Sequence, residues 1–271
     1  MKIPESSVLL LSLTLTTVSL VADDALNSLR QVGAKIKVGQ NGSTSVHFSV
    51  PGPPRGPFGE PVFDPSFKPP PPLTVKHLIV VAGLPKLHSL KLGGVPFKTS
   101  IAEALGALAN AGELRRLDLA MVRGVTDESL ALLAGIPTLE DLSLDNCRGV
   151  TSRGLAHVAR QKNLRSLNLI STQVDDAGIV VLANARNLES LNLNFTRVRG
   201  SGLIHLADLP KLTSITLNPN RNTADKTQID LSPLGKGFTA LRNLKIGGNR
   251  ITDAHLASLA SLRNLQALTF R

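Results

Sequence analysis

The sequence predicts an α/β solenoid, with parallel strands lining its concave face and helices lining its convex face. Three observations carry that expectation. A six-residue phrase, Leu-x-x-Leu-x-Leu or a close variant, recurs from Leu87 onward at starts 27, 25, 25, 24, 24, 29 and 24 residues apart. Between phrases the apolar period changes from that of a strand to that of a helix. The 271-residue chain also has no Trp or Tyr and only 8 Phe, so its core is built of small aliphatic side chains rather than the large aromatics of most globular domains. A fixed phrase at a fixed period is the signature of stacked repeats.

The strands come first. In Leu164-Arg-Ser-Leu-Asn-Leu169, Leu167 and Leu169 point inward while Ser166 and Asn168 point outward. The same phrase starts at Leu87, Leu114, Leu139, Leu188, Leu212, Leu241 and Leu265. The second half of each repeat carries apolar pairs three apart: Leu130 with Leu133, Leu155 with Val158, Ile179 with Leu182, Leu203 with Leu206, and Leu256 with Leu259. That is one helical face. Thr126-Asp127, Thr151, Asp175-Asp176 and Thr252-Asp253 mark helix starts, and Ser100 with Glu103 reads as a capping box. One strand and one helix cannot bury both of their faces, so the repeats must stack.

At these residues a family resemblance becomes specific. The strand phrase, followed by a polar residue and then Val-Thr-Asp-x-x-Leu-x-x-Leu, resembles the leucine-rich-repeat family. The stretch Leu142-Ser-Leu-Asp-Asn-Cys-Arg-Gly-Val-Thr151 is similar to its cysteine-containing subclass, seen in F-box-type ubiquitin-ligase adaptors. The 24-residue units, such as the one containing Thr172-Gln-Val-Asp-Asp-Ala-Gly-Ile179, look more like exported bacterial repeat proteins. The resemblance spans roughly residues 46–271 and implies a leucine-rich-repeat solenoid. In this family the slot three residues after the second strand leucine turns inward. Here it holds Val122, Cys147, Thr172, Thr196, Asn220 and Asn249, which makes Cys147 a structural thiol rather than a nucleophile.

The two ends depart from the pattern. Lys2 and the apolar run from Val8 to Ala22, followed by Asp23-Asp24, read as a signal peptide over residues 1–22, although Leu20 stands where a smaller residue is usual. Residues 23–45 read as an N-terminal cap. Ala25, Leu26, Leu29 and Val32 sit at helical spacing there, followed by the turn Gln40-Asn-Gly42. Residues 46–86 read as a first repeat split by a Pro-rich insertion at 51–72, because Val75–Leu87 matches Ser201–Leu212 at its leucines and at Leu-Pro-Lys-Leu. Residues 87–271 carry the remaining repeats and end in an uncapped strand. Gln161 replaces the Ile or Leu of equivalent slots, which predicts a thinner core there.

No catalytic constellation, metal-ligand cluster or cofactor motif emerges. His157 and His205 share a helical slot two repeats apart, too far to share a metal, and Gly235-Lys-Gly237 alone is no phosphate loop. The single cysteine precludes an intrachain disulfide. The net charge of +10 admits an acidic partner, but scattered acids and the absence of interleaved aromatics argue against nucleic acid. Arg115, Glu140, Arg165 and Glu189 alternate in sign through four successive repeats, as register support. The remaining surface is the concave face: Arg116, Asp118, Asp141, Ser143, Asp145, Ser166, Asn168, Ser190, Asn192, Asn194, Thr216, Asn243 and Lys245, with Ser89, Lys91 and Ser214 beside them. Arg116 and Phe195 are its candidate anchors.

These features predict a non-enzymatic protein-interaction module, exported to the periplasm, cell envelope or medium, with no transmembrane helix after signal cleavage. Two other readings stay open. One is a cytoplasmic ubiquitin-ligase-type adaptor, and the other is an envelope protein whose basic surface adheres to acidic polymers.

Overall fold

The computed structural model describes residues 24–49, 68–218, 229–248 and 251–270. The signal-peptide reading, most of the Pro-rich insertion, and the slot residues Asn220 and Asn249 lie outside these. Ten strands form one sheet in strict chain order: β1 (Ala34–Val38), β2 (Thr44–Phe48), β3 (Leu87–Lys91), β4 (Arg116–Asp118), β5 (Asp141–Ser143), β6 (Ser166–Asn168), β7 (Ser190–Asn192), β8 (Ser214–Leu217), β9 (Asn243–Ile246) and β10 (Ala267–Phe270). β1 and β2 form an antiparallel hairpin, and every later pairing is parallel. This is the α/β leucine-rich-repeat solenoid read from the sequence.

Helices return the chain between strands. A helix over 24–31 (α1) precedes the hairpin. It is followed by α2 (Val75–Ala82), α3 (Ile101–Ala107), α4 (Asp127–Leu130), α5 (Leu155–Val158), α6 (Asp176–Leu182) and α7 (Asp253–Leu259). At Ser201–Leu206 and Ser232–Gly235 the return is a tighter 3-10 turn. Single-turn pieces are too short to be stable alone, so packing of their leucines holds them in place. Leu130, Leu133, Leu155, Val158, Ile179, Leu182, Leu203 and Leu206 are all fully buried, joining the strand leucines in one continuous core. Leu256 differs: it is 46 % exposed, against 0 % for Leu234 in the preceding helical turn, because no described element stacks against the outer side of the last repeat.

The predicted helix starts hold, with two changes. Thr126 and Thr252 close capping boxes with Ser129 and His255, and Asp175 accepts from the Ala177 amide. Ser100 accepts from the Glu103 amide at 3.2 Å, as the first half of a box would. Thr151 caps the turn that leads into α5 rather than the helix itself, its hydroxyl oxygen accepting from the Arg153 amide at 3.2 Å. It pairs with Gln173 in an isolated bridge, and α5 begins only after a turn that ends at Gly154. Its amide and hydroxyl also reach back to the Asp127 carboxylate of the repeat before.

That backward reach is general. Asp176 accepts from the amides of Arg199, Gly200 and Gly202 at 2.9, 3.0 and 2.8 Å, all in the next repeat. On the opposite edge, Asn163, Asn187 and Asn264 each donate to a carbonyl of the preceding repeat, at Pro137, Lys162 and Thr239. Gln161, expected to thin the core, is buried and donates to the Leu133 carbonyl at 2.8 Å, so it joins two repeats instead of weakening one. The alternating charges also meet: Arg115 contacts Glu140 at 2.7 Å, and Arg165 contacts Glu189 at 2.7 Å and Glu140 at 4.0 Å. The arginines are half exposed, so each pair contributes at most about 1 kcal/mol.

Successive repeats approach closely at Gly154, Gly178 and Gly202, one slot repeated through three turns. A Cβ on Gly202 would stand 2.5 Å from the Asp176 carbonyl oxygen and 3.0 Å from the Asp176 Cα. Both are backbone atoms and cannot swing away. Gly202→Ala is therefore expected to destabilise the fold by about 1–3 kcal/mol, read in thermal melts as a loss of roughly 2–4 °C per kcal/mol. A melt equal to wild type would show that the repeats can separate here at no cost.

Candidate functional site

Parallel pairing in register turns the outward residues of each strand into rows that cross the sheet. One row runs Ser89, Arg116, Asp141, Ser166, Ser190, Ser214, Asn243. The second runs Lys91, Asp118, Ser143, Asn168, Asn192, Thr216, Lys245. Strand spacing sets neighbours in a row about 4.8 Å apart. Arg116, Asp118, Asp141, Ser143, Ser166 and Asn168 converge, with Ser89 and Lys91, on one shallow depression of about 180 Å³. Ser190, Asn192, Thr216, Asn243 and Lys245 continue the rows beyond it. Asp145 and Asn194 lie two residues past the strand rows, where the chain turns off the sheet.

Much of this polarity is already committed. Arg116 Nε donates to Asp141 Oδ2 at 2.8 Å, fixing the expected anchor in place although it is largely exposed. Asp118, Asn168 and Asn192 each turn Oδ1 back to the amide two residues on, at 3.0, 3.1 and 3.2 Å. These bonds close the turn that ends each strand. Asn168 also donates Nδ2 to the Ser143 hydroxyl at 3.3 Å. Burial, and secondarily the nearby Asp118 charge, raises the Asp145 carboxyl above the ordinary carboxylate range. The Oδ1 of Asn194 is buried without a hydrogen-bond partner among the described residues.

Phe195, the second expected anchor, does not lie on the sheet. It is 40 % exposed and sits on the rim at φ +59°. Gly94, Met121, Asn146 and Ser171 occupy the same place in their repeats, at φ of +70, +58, +57 and +55°. The left-handed region suits Gly and Asn but costs a bulky residue roughly 1–2 kcal/mol. The pattern that reveals this column is the alignment of repeats, since neither Met121 nor Phe195 advertises a left-handed turn alone.

Cys147 is buried beneath the strand ends beside Val122, Thr172 and Thr196. Its Sγ donates to the Leu119 carbonyl of the preceding repeat at 3.2 Å, while Thr172 and Thr196 donate to Leu169 and Leu193 of their own repeats at 2.7 and 2.8 Å. Burial, aided by Asp145, pushes the thiol from 9.0 to about 12. The folded chain thus keeps a proton that the unfolded chain releases near pH 9, so this contribution to stability is intact below 9 and lost as pH climbs toward 12. At pH 8 a thiol reagent should label native protein at least about a hundredfold more slowly than denatured protein. Equal rates would place the sulfur at the surface.

Among the described residues no group of three His, Cys, Asp or Glu side chains is placed to hold a metal ion, and no helix is long and apolar enough to cross a membrane. The model of the leucine-rich repeat matches residues 160–183 and 184–207. No curated protein sequence matches the chain. The solved internalin C2 of Listeria monocytogenes is similar over 73 % of this chain and 76 % of its own, at 26 % identity and a TM-score of 0.54. An internalin (inlF) of the same organism is similar over 72 % of this chain and 57 % of its own, at 25 % identity and a TM-score of 0.51. With two consecutive units matched at sequence level, and strand, return and slot repeating on either side of them, the chain is a leucine-rich-repeat protein.

Proposed function

We propose that the chain is a non-enzymatic protein-recognition module that acts outside the cytoplasm and holds its partner on the concave sheet. The observation that carries this is the convergence of Arg116, Asp118, Asp141, Ser143, Ser166 and Asn168 on one depression. The rows of small hydroxyls and amides that extend from it support the same reading. These groups are pre-ordered by the sheet, so little side-chain entropy remains to be lost on binding. The surface is polar and short of aromatic anchors, which suits a partner recognised by hydrogen bonds and charge rather than by a large dry interface. The basic and apolar run over residues 2–22, followed by Asp23-Asp24, supports export.

A triple variant, Arg116→Ala with Asp118→Ala and Asp141→Ala, tests the face. Using the natural partner captured by the wild-type protein, affinity should fall at least about a hundredfold, the cost of two to three lost charged contacts, with the far-ultraviolet spectrum unchanged. Wild-type affinity in that variant would remove the concave face from the interface. Export is tested separately by the first residue of the protein recovered from its natural host, which should lie close after Ala22.

A further inference from the structure

The left-handed residues that carry each strand off the sheet define a rim with a chemistry of its own. Every amide in the column donates across to the next repeat: Gly94 to Ala120 at 2.8 Å, Met121 to Asp145 at 2.7 Å, Asn146 to Ile170 at 2.7 Å, and Ser171 to Asn194 at 3.0 Å. The rim backbone is therefore rigid. Two residues further along the turn stand Arg123, Arg148 and Arg197, with Gln173 between the last two, and all three arginines are exposed.

Two depressions open on this rim and share Met121, Arg123 and Gly124. The smaller, about 510 Å³, is framed by Arg123 and Arg148 and has no acidic residue in its lining. Arg148 is steadied through Nε by Asn146 Oδ1 at 3.3 Å, which leaves its terminal nitrogens available. Arg123 has no hydrogen-bond or ion-pair partner among the described residues. The larger depression, about 980 Å³, is walled by Val95, Phe97, Ile101 and Leu132. At its lip Met121 is 56 % exposed, despite its strained backbone.

Of the acids nearby, Asp127 is occupied, accepting from both the amide and the hydroxyl of Thr151. Glu128 lines only the larger depression, and its carboxyl is held below the ordinary carboxylate range, first by the Thr126 side chain, so it stands there as a charge. An anion is thus welcome at the Arg123–Arg148 end and repelled at the Glu128 end, which gives the groove a direction. Two guanidiniums beside a pocket with one apolar wall suit a ligand that is anionic at one point and apolar at the next. A uniform polyanion would leave the pocket empty.

We propose that this rim is a second docking surface, separate from the concave sheet. Its occupant is an acidic peptide segment of a partner protein: Arg123 and Arg148 receive a carboxylate, and the apolar side chain that follows enters the pocket beneath Phe97, Ile101 and Leu132.

The probe is a fluorescein-labelled dodecapeptide with two adjacent glutamates followed by leucine and phenylalanine, measured against the full chain by fluorescence anisotropy. Wild-type protein should bind it, and binding should weaken at least tenfold in Arg123→Gln/Arg148→Gln, with glutamine in place of both glutamates, or with serine in place of leucine and phenylalanine. Arg160→Gln/Arg263→Gln, which removes the same charge from elsewhere, should bind as wild type. The concave triple variant should also bind as wild type, so failure there and failure here are distinguishable. No binding by wild type, an unchanged Arg123→Gln/Arg148→Gln variant, or an equal loss in the Arg160→Gln/Arg263→Gln control would each overturn the proposal.

Discussion

A single repeat of this chain is too thin to keep its own leucines dry. Its strand covers one side and its helical turn another, but the faces toward the neighbouring repeats stay open until those repeats are in place. Leu117, Leu142, Leu167 and Leu191 stand side by side in register and are almost wholly buried, whereas Leu268, on the strand at the far edge, is 39 % exposed. Stability here is a property of contacts between repeats. Everything else in the molecule is arranged so that repeats can meet at the same spacing each time.

Polar groups follow the same direction. Asp127 and Asp176 would serve ordinary helices by capping their own first turns, yet here their carboxylates gather amides from the next repeat. Asn163, Asn187 and Gln161 do the equivalent toward the preceding one. Cys147 fits this logic better than it fits any chemistry. Its sulfur reaches back one repeat to a carbonyl, where the threonines of its slot reach only within their own. Buried donors and acceptors that bridge repeats contribute modestly when paired and cost more when orphaned. They therefore discriminate against stacking in the wrong register more than they add to total stability.

The fold was legible because it depends on period, and period survives in a single sequence. Strand phrases, helical leucines, most caps and the alternating Arg–Glu column could all be placed from spacing alone. What could not be read were interactions whose partner lies one repeat away. Gln161 looked like a defect because its acceptor, the Leu133 carbonyl, belongs to the backbone and leaves no mark in the sequence. Thr151 could be read as a cap, and its hydroxyl oxygen does accept from the Arg153 amide, but nothing in the sequence marks the second bond by which that hydroxyl donates to the Asp127 carboxylate. The rows of the concave face followed from strand alternation. The rim did not, because Met121 and Phe195 are poor left-handed residues and hide the turn they make.

That mismatch has an evolutionary consequence. Duplicated repeats begin identical, and at a left-handed position drift under selection for folding alone runs toward Gly and Asn, as at Gly94 and Asn146. Met121 and Phe195 run against that current, exposed as well as strained. A library of this chain selected only for thermal resistance should lose both side chains early. Their loss would mark where the protein gives up robustness to keep its outer contour.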